Sequence, residues 1–318
     1  MSNFALIGAG GFIAPRHMQA IKDTGHRLTV ALDKNDSVGI IDRYAPDASF
    51  FTEFERFDRH VEKLRRGPPE HQLHYVSICS PNYLHDAHIR FALRVNADAI
   101  CEKPLVLEPW NADALLDLEK ETGRRIWSIL QLRLHPHIVA LREQVAAAGD
   151  RIHNIDLTYV TSRGRWYAVS WKGVDEKSGG VAMNIGVHFF DMLLWIFGAV
   201  KRSTVHYLDD VRGSGYLELE RARVRWFLSV DGKDLPPEAV RKGIRTHRSL
   251  ELNGKEYEFT DGFTDLHTQM YRNILEGRGF GAAEARPSIQ LVHDIRNASH
   301  AGLKGDYHPL ATGKDRAP

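Results

Sequence analysis

Four groups of residues in this chain have the types and spacing to do chemistry. The tightest is Glu102-Lys103-Pro104, a lysine delivered by the apolar run Ala97 to Cys101 and followed at once by a proline. Pro104 biases Lys103 towards an extended backbone, and an X-Pro bond can also be cis, which would turn the lysine sharply off the strand axis. A partly buried lysine beside another positive group loses its proton more readily and becomes a usable base. The second group is Asn184, His188 and Asp191, spaced i, i+4 and i+7 and hence on one face of an otherwise apolar helix. Polar side chains there need partners or a cavity. A lone histidine in such a helix reads as a satisfied core residue, but with a lysine at the mouth of a nucleotide crevice it reads as a second active-site group. Imidazole titrates near neutrality without help, so His188 and Lys103 both stand as proton acceptors.

The third group is the turn Gly8-Ala9-Gly10-Gly11-Phe12-Ile13-Ala14 with Asp33. Gly8 permits a tight turn, Gly10 lets the backbone approach a pyrophosphate, and the helix that follows offers free N–H groups and a positive dipole end. Ile13 stands where a third glycine would complete GxGxxG, so the pattern carries weight only through its context: strand Phe4 to Ile7 before, helix after, acid at the next strand end. Asp33, 25 positions after Gly8, is placed to accept from ribose hydroxyls and to repel a 2′-phosphate, which favours NAD over NADP. Lys34 follows it and tempers that preference. The fourth group is the loop holding Arg163, Arg165, Trp166, Tyr167, Trp171, Lys172 and Lys177. Arginines suit phosphates and carboxylates, and aromatic rings suit a base or sugar face. The same loop could instead be solvated, with its tryptophans on the core.

Up to about residue 130, strands and helices alternate. Strands are expected at 4–7, 28–32, 74–79, 97–101 and 126–130, and helices after 14, within 53–72, through Ala92, and from Pro109 to Glu121. That order specifies a parallel sheet covered on both faces, whose ligands bind beyond the carboxyl ends of its strands. Gly8–Gly11, Asp33, Ser80–Asn82 and Lys103 all fall at such ends. From 131 onwards the pattern becomes α+β, with a long apolar helix from Gly180 to Phe197 and alternating strands. Asn253-Gly254 between Arg248–Leu252 and Glu256–Phe259 signals a type I′ hairpin. The expected fold is α/β: a Rossmann-type doubly wound parallel sheet over 1–130, then an α+β domain over 131–318 with a mainly antiparallel open sheet.

Length and composition suit about two ordinary globular domains, 43% hydrophobic and 26% charged. Lys plus Arg (42) nearly balance Asp plus Glu (41), which gives no basic field for nucleic acid or an anionic membrane. No uninterrupted apolar run approaches the roughly 20 residues of a membrane helix, and Met1-Ser2-Asn3 passes straight into a strand without a signal segment. Cys79 and Cys101 fall at strand ends and read as buried thiols in a reducing compartment. A cytoplasmic protein without a metal site is expected.

The Gly8–Gly10 turn, Ser80-Pro81-Asn82 with His85, Glu102-Lys103-Pro104, and Gly179-Gly180 leading to His188 and Asp191 together resemble the Gfo/Idh/MocA family of NAD-dependent sugar and polyol dehydrogenases. The motifs lie in the family's order across most of the chain. The resemblance implies Lys103 and His188 as catalytic residues. It puts Gly8, Gly10, Gly11, Phe12, Ile13, Asp33, Ser80, Pro81, Asn82, His85, Glu102 and Lys103 at the cofactor. Many members carry Asp where this chain has Asn184, and an amide cannot act as a base. Within the family, the segments 5–17, Gln131 to Pro136, 184–191 and Gly262 to His267 are similar to bacterial UDP-N-acetyl-glucosaminuronic acid 3-dehydrogenases. That similarity implies oxidation of the sugar's 3-hydroxyl in lipopolysaccharide O-antigen synthesis. It places Lys103, Gln131, Arg163, Arg165, Tyr167, Lys172, Asn184 and His188 on the substrate side, and it implies a dimer or tetramer. It also implies a cycle in which bound NADH is reoxidised by 2-oxoglutarate. Other readings are a different sugar or polyol dehydrogenase, an NAD-dependent glycoside hydrolase, or a non-catalytic NAD-dependent sensor, which would lack the Lys103 and His188 pair.

Overall fold

In the computed structural model, which describes residues 1–258 and 265–312, the chain forms two compact units. The first comprises Met1–Leu134 with Thr264–Arg286, and the second His135–Phe263 with Pro287–Pro318.

The first unit is built on β1 (Asn3–Ile7), β2 (Arg27–Leu32), β3 (Ser49–Phe51), β4 (Tyr75–Ile78), β5 (Asp98–Cys101) and β6 (Ile126–Ser128). They form one parallel sheet in the order β3-β2-β1-β4-β5-β6. This is the doubly wound order, with the switch point between β1 and β4. All five residues of β1 are buried, as a central strand covered on both faces requires. Strand β3 goes beyond the sequence expectation, being a three-residue, half-buried edge strand ahead of the helix Phe54–Arg65. The helix Leu266–Leu275 follows the second half in sequence yet packs on Ala14–Asp23 in the first unit, with buried Met270, Tyr271 and Ile274 joining that core.

The second unit carries β7 (His153–Thr161), β8 (Val200–Leu208), β9 (Arg212–Leu219), β10 (Ala222–Ser229), β11 (Thr246–Leu252) and β12 (Lys255–Glu258), in the order β12-β11-β7-β10-β9-β8. Only the β7–β10 pairing is parallel among the described strands. Asn253 and Gly254 both take positive φ, 51° and 83°, as a type I′ hairpin between β11 and β12 requires. Phe259 and the segment 262–264 lie outside the described residues. On the covered face of the sheet, Trp226 is fully buried against the edge of Phe190. Gly215, its register partner on β9, makes that possible, because a Cβ there would come within 2.5 Å of the indole.

The expected helix from Gly180 to Phe197 is not uniform. Gly179 and Gly180 have positive φ, residues Ala182–Gly186 form a π-helical turn, and a regular α-helix runs from Val187 to Phe197. Gly186 lies so close to the sheet that a Cβ would be 2.7 Å from Leu228 Cδ1. The stretch 175–197 is long and apolar enough to cross a membrane, but 72% of its apolar window is buried, as in a core helix.

Candidate active site

The first unit brings the nucleotide motifs to one end of its sheet. Gly8 ends β1 with φ of 89°, and a Cβ on it would lie 2.7 Å from the Cys79 carbonyl, so only glycine lets β1 and β4 close here. The turn continues through Gly10, which is exposed, and Phe12, 96% exposed, to Ile13 and the helix Ala14–Asp23. Asp33, at the end of β2, accepts from Gly10 N at 2.9 Å and from Asn35 N at 2.9 Å. The acid therefore shapes the glycine turn and remains partly open at the position where a ribose is expected. A turn carrying three glycines at a helix N-terminus, beside a carboxylate, fits a dinucleotide.

Ser80, Pro81 and Asn82 follow β4, and Glu102 and Lys103 follow β5, one strand over. The Lys103–Pro104 peptide is cis. His85, also expected at the cofactor, lies between these two loops. It is buried, with Nδ1 2.7 Å from the Pro104 oxygen and Nε2 2.8 Å from the Ser80 oxygen, and it ties the two loops together. Burial lowers its pKa, against the pull of both carbonyls. A neutral ring has one N–H, so it serves one of the two carbonyls at a time. Gln131 is buried in a short helical turn after β6, and its Oε1 has no hydrogen-bond partner among the described residues.

Behind Lys103 lies a buried polar cluster that joins Glu102, expected at the cofactor, to two histidines for which no role was expected. Glu102 Oε1 is 3.0 Å from His17 Nε2 and 3.0 Å from His267 Nε2, and Lys103 N donates to Glu102 Oε2 at 3.2 Å. His17 Nδ1 continues to the Tyr271 hydroxyl at 2.8 Å, and that oxygen to Ser77 Oγ at 2.6 Å. Burial alone would push the Glu102 carboxyl up, but the hydrogen bonds from His17 and His267 outweigh it and hold the group well below the usual carboxylate range. Burial depresses His17 in spite of Glu102. The result is an ionised carboxylate beside a neutral imidazole. His17 and His267 lie 85 and 165 residues from Glu102, and the sequence offers them only as members of the segments 5–17 and Gly262 to His267.

In the second unit, Asn184 and His188 are the partly open polar residues of a helical segment that is otherwise mostly buried, while Asp191 is 2% exposed. Asn184 Nδ2 donates to the Tyr167 hydroxyl at 2.6 Å. A π-turn at this point is the kind of local irregularity that accompanies functional sites. Tyr167 is buried on the short helix Trp166–Val169, and burial raises its pKa although the Asn184 bond opposes this. Arg163 and Arg165 are exposed. Lys172 is half-buried over the Trp171 ring at 4.0 Å, and burial, reinforced by Arg163, lowers its pKa to about 8. Two cations forced together at a partly dry surface favour binding of an anion. Cys79 and Cys101 are buried, free thiols.

Fold and site define a two-part oxidoreductase with a Rossmann nucleotide domain. Models of the oxidoreductase family match residues 2–129 (NAD-binding Rossmann fold) and 149–230 (C-terminal alpha/beta domain). The chain belongs to this family, Gfo/Idh/MocA. It is 47% identical to the WlbA (WbpB) dehydrogenase from Thermus thermophilus, covering 98% of this chain and 100% of that one. The TM-score is 0.94 for the complex with NAD and alpha-ketoglutarate and 0.93 for the complex with NAD and UDP-GlcNAcA. A D-glucoside 3-dehydrogenase of Escherichia coli K12 is 29% identical over 141 residues, 43% of this chain and 40% of that protein. The chain spans between 40% and 59% of the length of the first three curated relatives it matches.

Proposed function

We propose that this chain oxidises the 3-hydroxyl of UDP-N-acetyl-glucosaminuronic acid to the 3-keto sugar, with NAD as hydride acceptor. The observation that carries this reading is the near-full-length 47% identity to a dehydrogenase solved with NAD and UDP-GlcNAcA. The Gly8–Gly11 turn, Asp33 and Ser80–Asn82 would hold NAD, which when bound supplies the acceptor for the hydride on carbon 3. Lys103 and His188 both act on the hydroxyl, one holding its oxygen and the other taking its proton. Asn184 has no basic lone pair of its own, so the proton passes to imidazole or amine, and His188 is the better matched at neutral pH. Arg163, Arg165 and Lys172 provide charge for the uronate and pyrophosphate, with Tyr167 and Gln131 as polar neighbours of the sugar. The bound NADH is reoxidised by 2-oxoglutarate on the same basic residues, a reading supported by the alpha-ketoglutarate complex of the Thermus enzyme. The reaction belongs to the cytoplasmic supply of O-antigen sugars, and the open sheet of the second unit serves a homo-oligomer, dimer or tetramer.

The test is oxidation of UDP-N-acetyl-glucosaminuronic acid by purified protein with and without 2-oxoglutarate. Formation of 3-keto sugar and 2-hydroxyglutarate in equal amounts supports the cycle. NADH released one for one with product, unaffected by 2-oxoglutarate, rules the cycle out. Conversion of Lys103 to Ala abolishes hydride transfer while NAD still binds, and near-normal turnover in that variant sinks the assignment of Lys103.

A further inference from the structure

The cluster behind Lys103 has a defined direction. Glu102 is ionised, so the two imidazoles at 3.0 Å donate to it through Nε2–H. His17 Nδ1 then carries a lone pair, Tyr271 donates to it, and the Tyr271 oxygen accepts from Ser77. The remaining carboxylate oxygen accepts from the Lys103 backbone N–H. This chain of bonds joins four segments remote in sequence: the helix after the glycine turn, β4, the strand end that bears Lys103, and the helix Leu266–Leu275. His267 is 5% exposed and its Nδ1, buried, has no hydrogen-bond partner among the described residues. Leaving a buried ring nitrogen without a partner, and drying a carboxylate, both cost stability that an apolar core would not incur. Such costs are characteristic of working sites.

The same three side chains have the identities of a cation site. The distances oppose that reading. A tetrahedral zinc with ligands at about 2.0–2.1 Å spreads them to roughly 3.4 Å, whereas both imidazoles sit at hydrogen-bond distance from a single oxygen. With Glu102 ionised, hydrogen bonds from the two rings account for both lines.

We propose that His17 and His267 are positioning residues for the redox step: through Glu102 they fix the backbone from which Lys103 projects and lock it to the cofactor helix. The proposal rests on Lys103 acting at the sugar hydroxyl. His267→Leu removes one donor, His267→Gln keeps an N–H that can reach the carboxylate, and Lys103→Ala is the control. In steady-state turnover of the NAD-loaded enzyme with UDP-N-acetyl-glucosaminuronic acid, His267→Leu loses about 10- to 100-fold in kcat, as loss of an orienting partner does elsewhere. KM for the sugar nucleotide changes by less than about threefold, because the substrate contacts are untouched. The pH profile of kcat moves, and His267→Gln returns kcat to within about threefold of the parent. Parental kcat and pH profile in His267→Leu, with Lys103→Ala inactive, overturn the positioning role alone. Normal turnover in Lys103→Ala overturns the reading beneath it. If His267→Leu does not fold, Glu102→Asp keeps the charge and withdraws the carboxylate by one methylene; kcat at the parental level there overturns the proposal. One equivalent of zinc retained by the parent and lost in His267→Gln also overturns it, in favour of a metal centre.

Discussion

Substituting Gly8 by Ala tests the turn on which cofactor binding depends, and its cost can be worked from the geometry. Gly8 has φ of 89°, and the left-handed region costs a residue with a Cβ about 1–2 kcal/mol. The added carbon would also lie 2.7 Å from the Cys79 carbonyl carbon and oxygen and 2.8 Å from Ser80 N. Those atoms are backbone and cannot rotate away. Cys79 N also donates to the Ile7 oxygen at 2.8 Å, so β1 and β4 must part at the place where they are paired. Overpacking of this kind costs about 1–3 kcal/mol. The sum, about 3 kcal/mol, lowers Tm by roughly 6–12 °C in a domain of this size. Gly25 is the matched control: its φ is 77° and nothing lies within 4 Å of a Cβ, so Gly25→Ala bears the conformational cost alone. Thermal unfolding of both variants, with NAD titrations by protein fluorescence, separates the two contributions. Gly8→Ala should melt several degrees below Gly25→Ala and bind NAD at least about tenfold more weakly, near 1.4 kcal/mol. Equal melting points, or parental NAD affinity in Gly8→Ala, would refute the reasoning.

Stability should fall on mild acidification. Burial lowers His88 and His308 from 6.5 to about 4, so each stays neutral in the fold while the unfolded chain takes up a proton. Their contribution is present above pH 6.5 and lost as pH falls from there towards 4, at up to about 1.4 kcal/mol per unit for each group. Urea midpoints that do not change between about pH 7 and 5 would contradict this. For Lys172, with its pKa lowered to about 8, anion affinity should weaken as pH rises through that value in the free enzyme. Lys172→Met should raise KM for the uronate by about tenfold with little change in kcat, read from steady-state kinetics. Asp33→Ala removes the acceptor for Gly10 N–H and the charge that repels a 2′-phosphate, so NAD affinity should drop about tenfold and the gap to NADP should narrow.

The strand ends were legible in the sequence because each motif there is local: a glycine turn, an acid after the next strand, a lysine before a proline. Alternation also made β10 legible, and the Asn253-Gly254 dipeptide marked the hairpin. Strand β3 escaped because three half-buried residues show no period, and its place is set by pairing with β2. The π-turn at 182–186 has no periodic signature of its own, and the packing of its Gly186 against Leu228 on β10 is tertiary. The position of Leu266–Leu275 in the first unit, and with it the His17–Glu102–His267 cluster, depends on contacts between remote residues, such as Glu102 with His267, 165 positions on, and the still more distant pair His17 and His267. No local pattern encodes such pairs.

The most direct test of the central claim is to mix purified protein, NAD and UDP-N-acetyl-glucosaminuronic acid and to analyse the sugar nucleotide by mass spectrometry and NMR. The expected product has lost two hydrogens and bears a ketone at carbon 3, with none formed by the Lys103→Ala variant. An unchanged sugar nucleotide under conditions where NAD is bound, or oxidation at another carbon, would contradict it.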